Sequence, residues 1–451
     1  MIKKSLDVHY ATGIVVASMI GSGVFVSTGF LLNNYTPSEI MLAWVIGALW
    51  ALCGSVVYIA LATEIPKDGG EVEYIKLHID ANFAKFIGVL TIVLGFASPI
   101  AFDALVAGSY LDVFLNTGHP KVIATLILCT IFGLHISHKS TQTSHLSQQF
   151  LVGCKIFIVG IICLTGIFWL QYNPPVESYQ PPRMEVITSG DFFYQQYWIT
   201  YAFTGFNAAI YITGSLKNPD KDLRKSILYG LGVVIVLYLT LNHIFVMTLQ
   251  KASIPTEFFS NGEVPLTLGH ILIGKLFGES VTNLMSLFLV LIFLSSIVAM
   301  TQIVIPVAKS TFSEYISTKK EERVNTALLL SVTLLSLFLI WFSQIRELLE
   351  GAACTIYIVS TITASLVFFK DLSYKFSLFT KCAAVVYMST CIFLLYCGLQ
   401  ASSFITIILA IALIILSLSQ IVSRNIVKYE TQDEFDSSMF HSSINSNEIT
   451  N

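Results

Sequence analysis

Apolar runs of about twenty residues follow one another along nearly all of this 451-residue chain, separated by short polar connections. A helix crossing a bilayer needs about twenty such residues. Hydropathy predicts twelve spans, at 9–32, 40–63, 84–114, 121–137, 147–170, 196–215, 227–249, 276–308, 326–342, 347–369, 379–398 and 404–422. The expected fold is therefore an all-α polytopic membrane protein. The connections are too short to hide a soluble catalytic domain. The longest outer one, about 171–195, carries Pro174, Pro175, Pro181 and Pro182 and is expected to be irregular. From 423 to 451 the chain turns to serine, asparagine and acids, the composition of a disordered tail.

Composition strengthens this picture: 55% of residues are hydrophobic, 12% are charged, and mean hydropathy is +0.74. The net charge of −3 says little about partners beyond the lipid bilayer. The positions of the charges say more. With residues 1–8 cytoplasmic, about nineteen lysines and arginines fall inside and five outside, and the reverse topology inverts that split. Both termini are thus expected in the cytoplasm, with the chain in the plasma (inner) membrane. Lys3 and Lys4 precede an apolar run, but no small-residue cleavage site follows. The eight cysteines all lie in apolar segments without metal or redox spacing. His135, His138 and His145 cluster without a supporting cysteine or carboxylate and read as solvated. Nothing points to a metal, a cofactor or a nucleic acid.

Two spans carry a weak point at mid-membrane. In the first, Gly21-Ser22-Gly23 lies about a dozen residues after His9, near the bilayer centre at roughly 1.5 Å per residue. A helix broken there aims the bare N–H groups of its second half at the midplane, a seat for a carboxylate. The bland alternative is that small residues let two helices pack closely. In the sixth, Tyr201-Ala202-Phe203-Thr204-Gly205-Phe206-Asn207 repeats the theme in the opposite direction. Its first half ends in unsatisfied carbonyls, which suit a cation. One anion-seeking and one cation-seeking break, five spans apart, fit a transporter built from inverted repeats. A zwitterion satisfies both, which points to an α-amino acid.

Four stretches then carry a resemblance. They are Ile20-Gly21-Ser22-Gly23-Val24-Phe25; Tyr58 with Pro66-Lys67-Asp68-Gly69-Gly70-Glu71 and Tyr74; Tyr201 to Ala209 with Lys217-Asn218-Pro219; and Leu294-Ser295-Ser296-Ile297-Val298-Ala299-Met300. In this order they resemble the amino acid–polyamine–organocation (APC) permeases. The resemblance implies a five-plus-five inverted repeat, spans 1–5 over 9–170 and spans 6–10 over 196–369, followed by two further spans over 379–422. It implies a substrate carboxylate on the amides of Ser22, Gly23 and Val24. The substrate ammonium would lie near the carbonyls of Ile20 and of Tyr201, Ala202, Phe203 and Thr204, with Phe203 and Phe206 occluding it. Met300 and Tyr357 either line the pocket or pack outside it.

Two charges lie inside spans. An ammonium at the depth of Lys155 costs on the order of 3 kcal/mol and needs a partner or a cavity, unless its stem snorkels to the surface. In the family, a lysine at this place stands where sodium-coupled relatives hold a sodium ion. The resemblance therefore implies contacts with the first break and with Ser295 or Ser296, and transport without sodium, by proton symport or by exchange. Asp103 could recognise a cationic side chain, carry a proton, line a vestibule or hydrogen-bond a neighbouring helix. Charges common at the family's inner gate are replaced here by Ala60, Ser215, Pro306 and Ser313, so that gate is expected to close by packing and hydrogen bonds. The leading reading is a sodium-independent secondary transporter of amino acids and not an enzyme. Its alternatives are a polyamine, amine or cationic amino acid antiporter, and a non-transporting accessory subunit.

Overall fold

A computed structural model of the protein describes residues 6–32, 34–137, 141–174, 180–249, 268–313, 321–402 and 407. Among them the chain is helical, apart from one isolated β-bridge between Leu6 and Leu216. Nine of the described helices are long and apolar enough to cross a membrane. Two expected spans fall outside that number for physical reasons. The fourth is a shorter apolar helix, Pro120–His135, and the sixth is split at its centre. The expected span 404–422, except for residue 407, lies outside the described residues, as do the tail 423–451, residues 1–5 and His138.

The first span consists of α1 (Val8–Met19) and α2 (Gly23–Leu31). Asp7 caps α1 by accepting the Tyr10 N–H at 2.9 Å. Helix α3 (Pro37–Glu64) starts from a capping box between Thr36 and Glu39 and leads to the short α4 (Glu71–His78). Next, α5 (Ala81–Leu90) runs through a π-helical stretch, Thr91–Ala97, into α6 (Ser98–Leu115). Pro99 has no N–H to return to the carbonyl four residues back, and the ladder widens just before it.

Helices α7 (Pro120–Ser137), α8 (Thr141–Tyr172) and the short α9 (Met184–Ile187) follow. The sixth span is α10 (Gly190–Phe203), a turn, and a 3₁₀ segment, Ala208–Ser215. The remainder is α11 (Pro219–Thr248), α12 (Leu268–Phe277), α13 (Glu279–Thr311), α14 (Glu321–Phe342), α15 (Ile345–Ser365), α16 (Lys370–Ser373) and α17 (Leu378–Ala401). The span expected from 276 begins instead at Glu279, because Gly278 takes a φ of +85° and separates α12 from α13.

Helix α8 shows how the bundle sorts its faces. Phe150, Phe157, Leu164 and Phe168 are exposed, whereas Val152, Lys155, Val159 and Ile162 are buried. The two sets recur at helical spacing on opposite sides, as expected of a helix with one face to lipid and one to protein. Against that inner face lies α1, which also packs along α11 and α13, while α2 packs along α10. The two broken spans therefore sit inside the bundle.

Candidate functional site

At the first break, the last turn of α1 closes through Ile20 N–H to the Val16 carbonyl (3.0 Å), and Gly21 N–H turns back to the Met19 carbonyl (2.9 Å). The N–H groups of Gly23 and Val24, in the opening turn of α2, meet no acceptor among the described residues. At the second break, Thr204 folds onto the end of α10: its N–H and its hydroxyl both donate to the Tyr201 carbonyl, at 3.0 and 2.7 Å. Gly205 then takes a φ of +92°, which costs a glycine little and strains any residue with a Cβ. The carbonyls of Phe203 and Thr204 receive no hydrogen bond from the described residues.

The two breaks touch each other. A Cβ added at Gly23 would stand 2.9 Å from the Ala202 Cα, and one at Gly205 would stand 2.8 Å from the Ser18 carbonyl. Each glycine lets one broken helix press its backbone onto the other. The Tyr238 hydroxyl of α11 lies 2.5 Å from the Met19 carbonyl oxygen and 3.0 Å from that of Ala202, pinning the crossing from behind. Nothing in the sequence around Tyr238 singled it out.

Lys155 is fully buried on the other side of the first break. Its ammonium donates to the carbonyls of Ala17 (2.9 Å) and Ile20 (2.5 Å) and to Ser296 Oγ (3.0 Å). Ser296 Oγ also lies 2.9 and 3.0 Å from those two carbonyls. Snorkelling is excluded by this geometry. Of the two serines, only Ser296 makes the contact; the Ser295 hydroxyl is buried without a partner. The Ile20 carbonyl is thus occupied by Lys155.

Asp103, buried in α6, accepts the Ser22 N–H at 3.0 Å and the Ser22 hydroxyl in a short hydrogen bond. Lys155 attracts it electrostatically. One of the three amides expected to hold a carboxylate therefore already holds one, supplied by the protein itself. A Cβ at Gly21 would meet both Asp103 carboxylate oxygens at 3.0 and 3.2 Å, so this contact also relies on a missing side chain.

A cavity of about 100 Å³ opens at the crossing. Gly21, Ser22, Gly23, Asp103, Tyr201, Ala202, Thr204, Gly205 and Phe206 line it. Ile20, Val24 and Phe203 lie behind its wall; Phe203 is buried between Trp44 and Tyr238. Met300 lines the cavity, and Tyr357 packs outside it against Trp50 and Tyr197. The structure adds lining residues that the sequence did not single out, among them Glu71, Thr91 and Ser360. Three polar atoms of lining residues are buried without a partner: Ser18 Oγ, Thr91 Oγ1 and Glu71 Oε2. Buried polar atoms of this kind take a partner from the space they face, which water or a polar ligand in the cavity would supply. Among the described residues, no cluster of three or more metal-ligating side chains is present.

Serines take part at the mouth beyond α3. Asp68 accepts the Ser215 N–H (3.1 Å) and hydroxyl (2.6 Å), Glu73 accepts the Ser310 hydroxyl (2.5 Å), and Lys76 donates to Ser313 (2.8 Å). Burial raises the Asp68 carboxyl above the usual range, while the Ser215 bonds and the charge of Lys309 pull it back. Ser215 and Ser313, two of the four positions where the sequence reading expected a gate without charge, thus serve as hydrogen-bonding serines. Lys309 adds a charge attraction to this mouth.

Comparison with known proteins adds an independent line. The amino acid permease family model matches residues 6–423. The human large neutral amino acids transporter small subunit 2 is 26% identical over 287 residues, 60% of this chain and 52% of the relative. The rabbit b(0,+)-type amino acid transporter 1 is 27% identical over 270 residues, 57% of this chain and 53% of the relative. The mouse Asc-type amino acid transporter 1 is 25% identical over 293 residues, 60% and 52%. The matched stretch spans about half the length of these relatives.

Proposed function

The chain belongs to the amino acid permease family, and on that premise we propose that it is a secondary active transporter moving amino acids across a membrane by alternating access. The observation that carries this reading is the crossing of two broken helices, free N–H groups on one and free carbonyls on the other, beside one cavity. Backbone groups left bare inside a membrane are tolerated where they line a cavity or meet a ligand. The carboxylate of a bound amino acid would take the amides of Gly23 and Val24, beside the Ser22 amide that Asp103 holds. Its ammonium would take the carbonyls of Phe203 and Thr204. Phe206 and Tyr201 would close over it.

In this reading the chain has twelve spans. Residues 9–170 and 196–369 are inverted repeats that rock against each other around the fixed site, and 379–422 supplies the last two spans. Both termini face the cytoplasm of a plasma (inner) membrane. Lys155 supplies one fixed positive charge to two carbonyls and a serine hydroxyl, a ligand set that would otherwise suit a monovalent cation. Coupling to sodium is accordingly not expected, which leaves proton symport or amino acid exchange.

The test is uptake of labelled amino acids into sodium-free proteoliposomes. Uptake that needs preloading identifies an exchanger. Uptake into empty vesicles driven by an inward proton gradient identifies a symporter. A strict sodium requirement would remove the assigned role of Lys155. One observation favours a second reading: because Asp103 already holds the Ser22 amide, an amine without a carboxylate finds its counter-charge in place. Transport of such amines by the wild type, lost in Asp103→Asn, would favour that reading.

A further inference from the structure

Glu71 opens α4, and it is 2% exposed. Its Oε1 accepts hydrogen bonds from Asn207 Nδ2 (2.9 Å) and the Tyr211 hydroxyl (3.2 Å), both on the second broken span. Its Oε2 has no partner, and the residue lines the central cavity. No lysine, arginine or histidine forms an ion pair with it among the described residues. The ionisable groups around it are phenols: Tyr58 from α3, Tyr74 from α4 itself, Tyr211 from the 3₁₀ segment and Tyr387 from α17. A carboxylate taken out of water without a cation is costly, and removing that cost needs a positive partner from elsewhere.

The cavity offers such a partner a suitable setting. Asn207 lies three residues beyond Thr204, whose carbonyl is free, so the two are separated by at most about 11 Å of extended chain. The segment is a turn and so shorter than that limit, within reach of a long cationic side chain from its own α-amine. Tyr58 and Tyr387 each meet Phe206 edge to face, with ring centroids 5.8 and 6.4 Å away, and all three line the cavity. Aromatic faces at such a place attract an ammonium or a guanidinium.

We infer that Glu71 is a specificity-determining residue: its free carboxylate oxygen accepts the terminal ammonium or guanidinium of a substrate whose α-groups are held at the two breaks. This rests on the reading of the cavity as a transport site, and it names the substrate class as amino acids with a cationic side chain, carried alongside neutral ones. Asn207 and Tyr211 hold Oε1 and so aim the carboxylate. A purely structural role, pinning α4 to the second broken span, treats cationic and neutral substrates alike.

The experiment compares labelled lysine and leucine uptake by the full chain in proteoliposomes, wild type against Glu71→Gln, with thermal-shift binding of both ligands to the purified protein. Glutamine keeps the bonds at Oε1 and removes the charge. The expected result is lysine uptake by the wild type, with a lysine KM raised about tenfold or more in the variant and a leucine KM changed less than about twofold. Wild-type uptake of leucine without lysine overturns the assignment, as do equal losses for both. If neither is carried but lysine stabilises the wild type and not Glu71→Gln, the subsite stands and the transport reading falls. If neither flux nor a lysine shift occurs, both fall. Glu71→Asp keeps the charge with a shorter reach, and its lysine KM should fall between those of the other two proteins.

Discussion

At the residue scale, charge inside the bundle is handled by partners, and each partner suggests a measurement. Lys155 and Asp103 attract each other across the first break, and each is also tied to that break's backbone. Among the described residues the two share no direct ion-pair contact, yet removing either buried charge leaves the other uncompensated, at a cost of up to about 3–5 kcal/mol. Lys155→Met should therefore lower thermal stability strongly, and Asp103→Asn added to it should recover part of the loss. Additive losses in the double variant would show that the two do not act as a pair. Glu71 makes a different prediction. Burial raises its carboxyl above the usual range, and only the ionised form binds a cation. Lysine binding should therefore weaken as pH falls through that raised value, while leucine binding stays level. Thermal shifts measured with each ligand from about pH 8 to about pH 5 check the sign.

At the element scale, two broken helices and one widened helix build the site. The π-helical stretch before Pro99 ends six residues ahead of Asp103 and contributes Thr91, Gly95 and Phe96 to the cavity wall. The crossing depends on backbone contact at Gly205. Gly205→Ala adds a Cβ at 2.8 Å from Ser18 and forces alanine to a φ of +92°. Backbone strain of that kind costs about 1–3 kcal/mol, and the clash adds to it. Uptake should fall at least tenfold, whereas Gly232→Ala on α11, where an added Cβ meets nothing within 4 Å, should leave it near wild type. Initial-rate uptake at matched protein density compares the two.

At the scale of the whole molecule, the mouth beyond α3 combines hydrogen bonds between carboxylates and serines with the ion pairs Lys67–Glu73 (3.7 Å) and Lys375–Glu64 (2.7 Å). Asp68 holds Ser215 of the second broken span, and Glu73 holds Ser310 of α13. Hydrogen bonds of this kind depend little on salt, while exposed ion pairs are screened within about 8 Å at physiological ionic strength. Raising salt from about 0.1 to about 1 M should therefore change the exchange or uptake rate less than Ser215→Ala combined with Ser310→Ala does. A larger salt effect would assign closure to charge, with Lys67, paired with Glu73 at 3.7 Å, as the first residue to examine.

Hydrophobic periodicity, the two glycine-marked breaks and the isolated intramembrane charges were legible in the sequence by itself. Each follows from a local rule: lipid demands long apolar helices, bare backbone demands a cavity, and a buried charge demands a partner. The local rules left the choice of partner open. The sequence showed that Lys155 needed one, and only the packed bundle chose Ala17, Ile20 and Ser296 over Ser295. Asp103 had four plausible roles in sequence and one observed seat, on the Ser22 amide. Glu71 stood in a loop motif 136 positions before Asn207, and no pattern along the chain could place it at the cavity. Helical spacing decides which face a side chain shares, whereas contacts between residues this far apart are decided only when the helices pack.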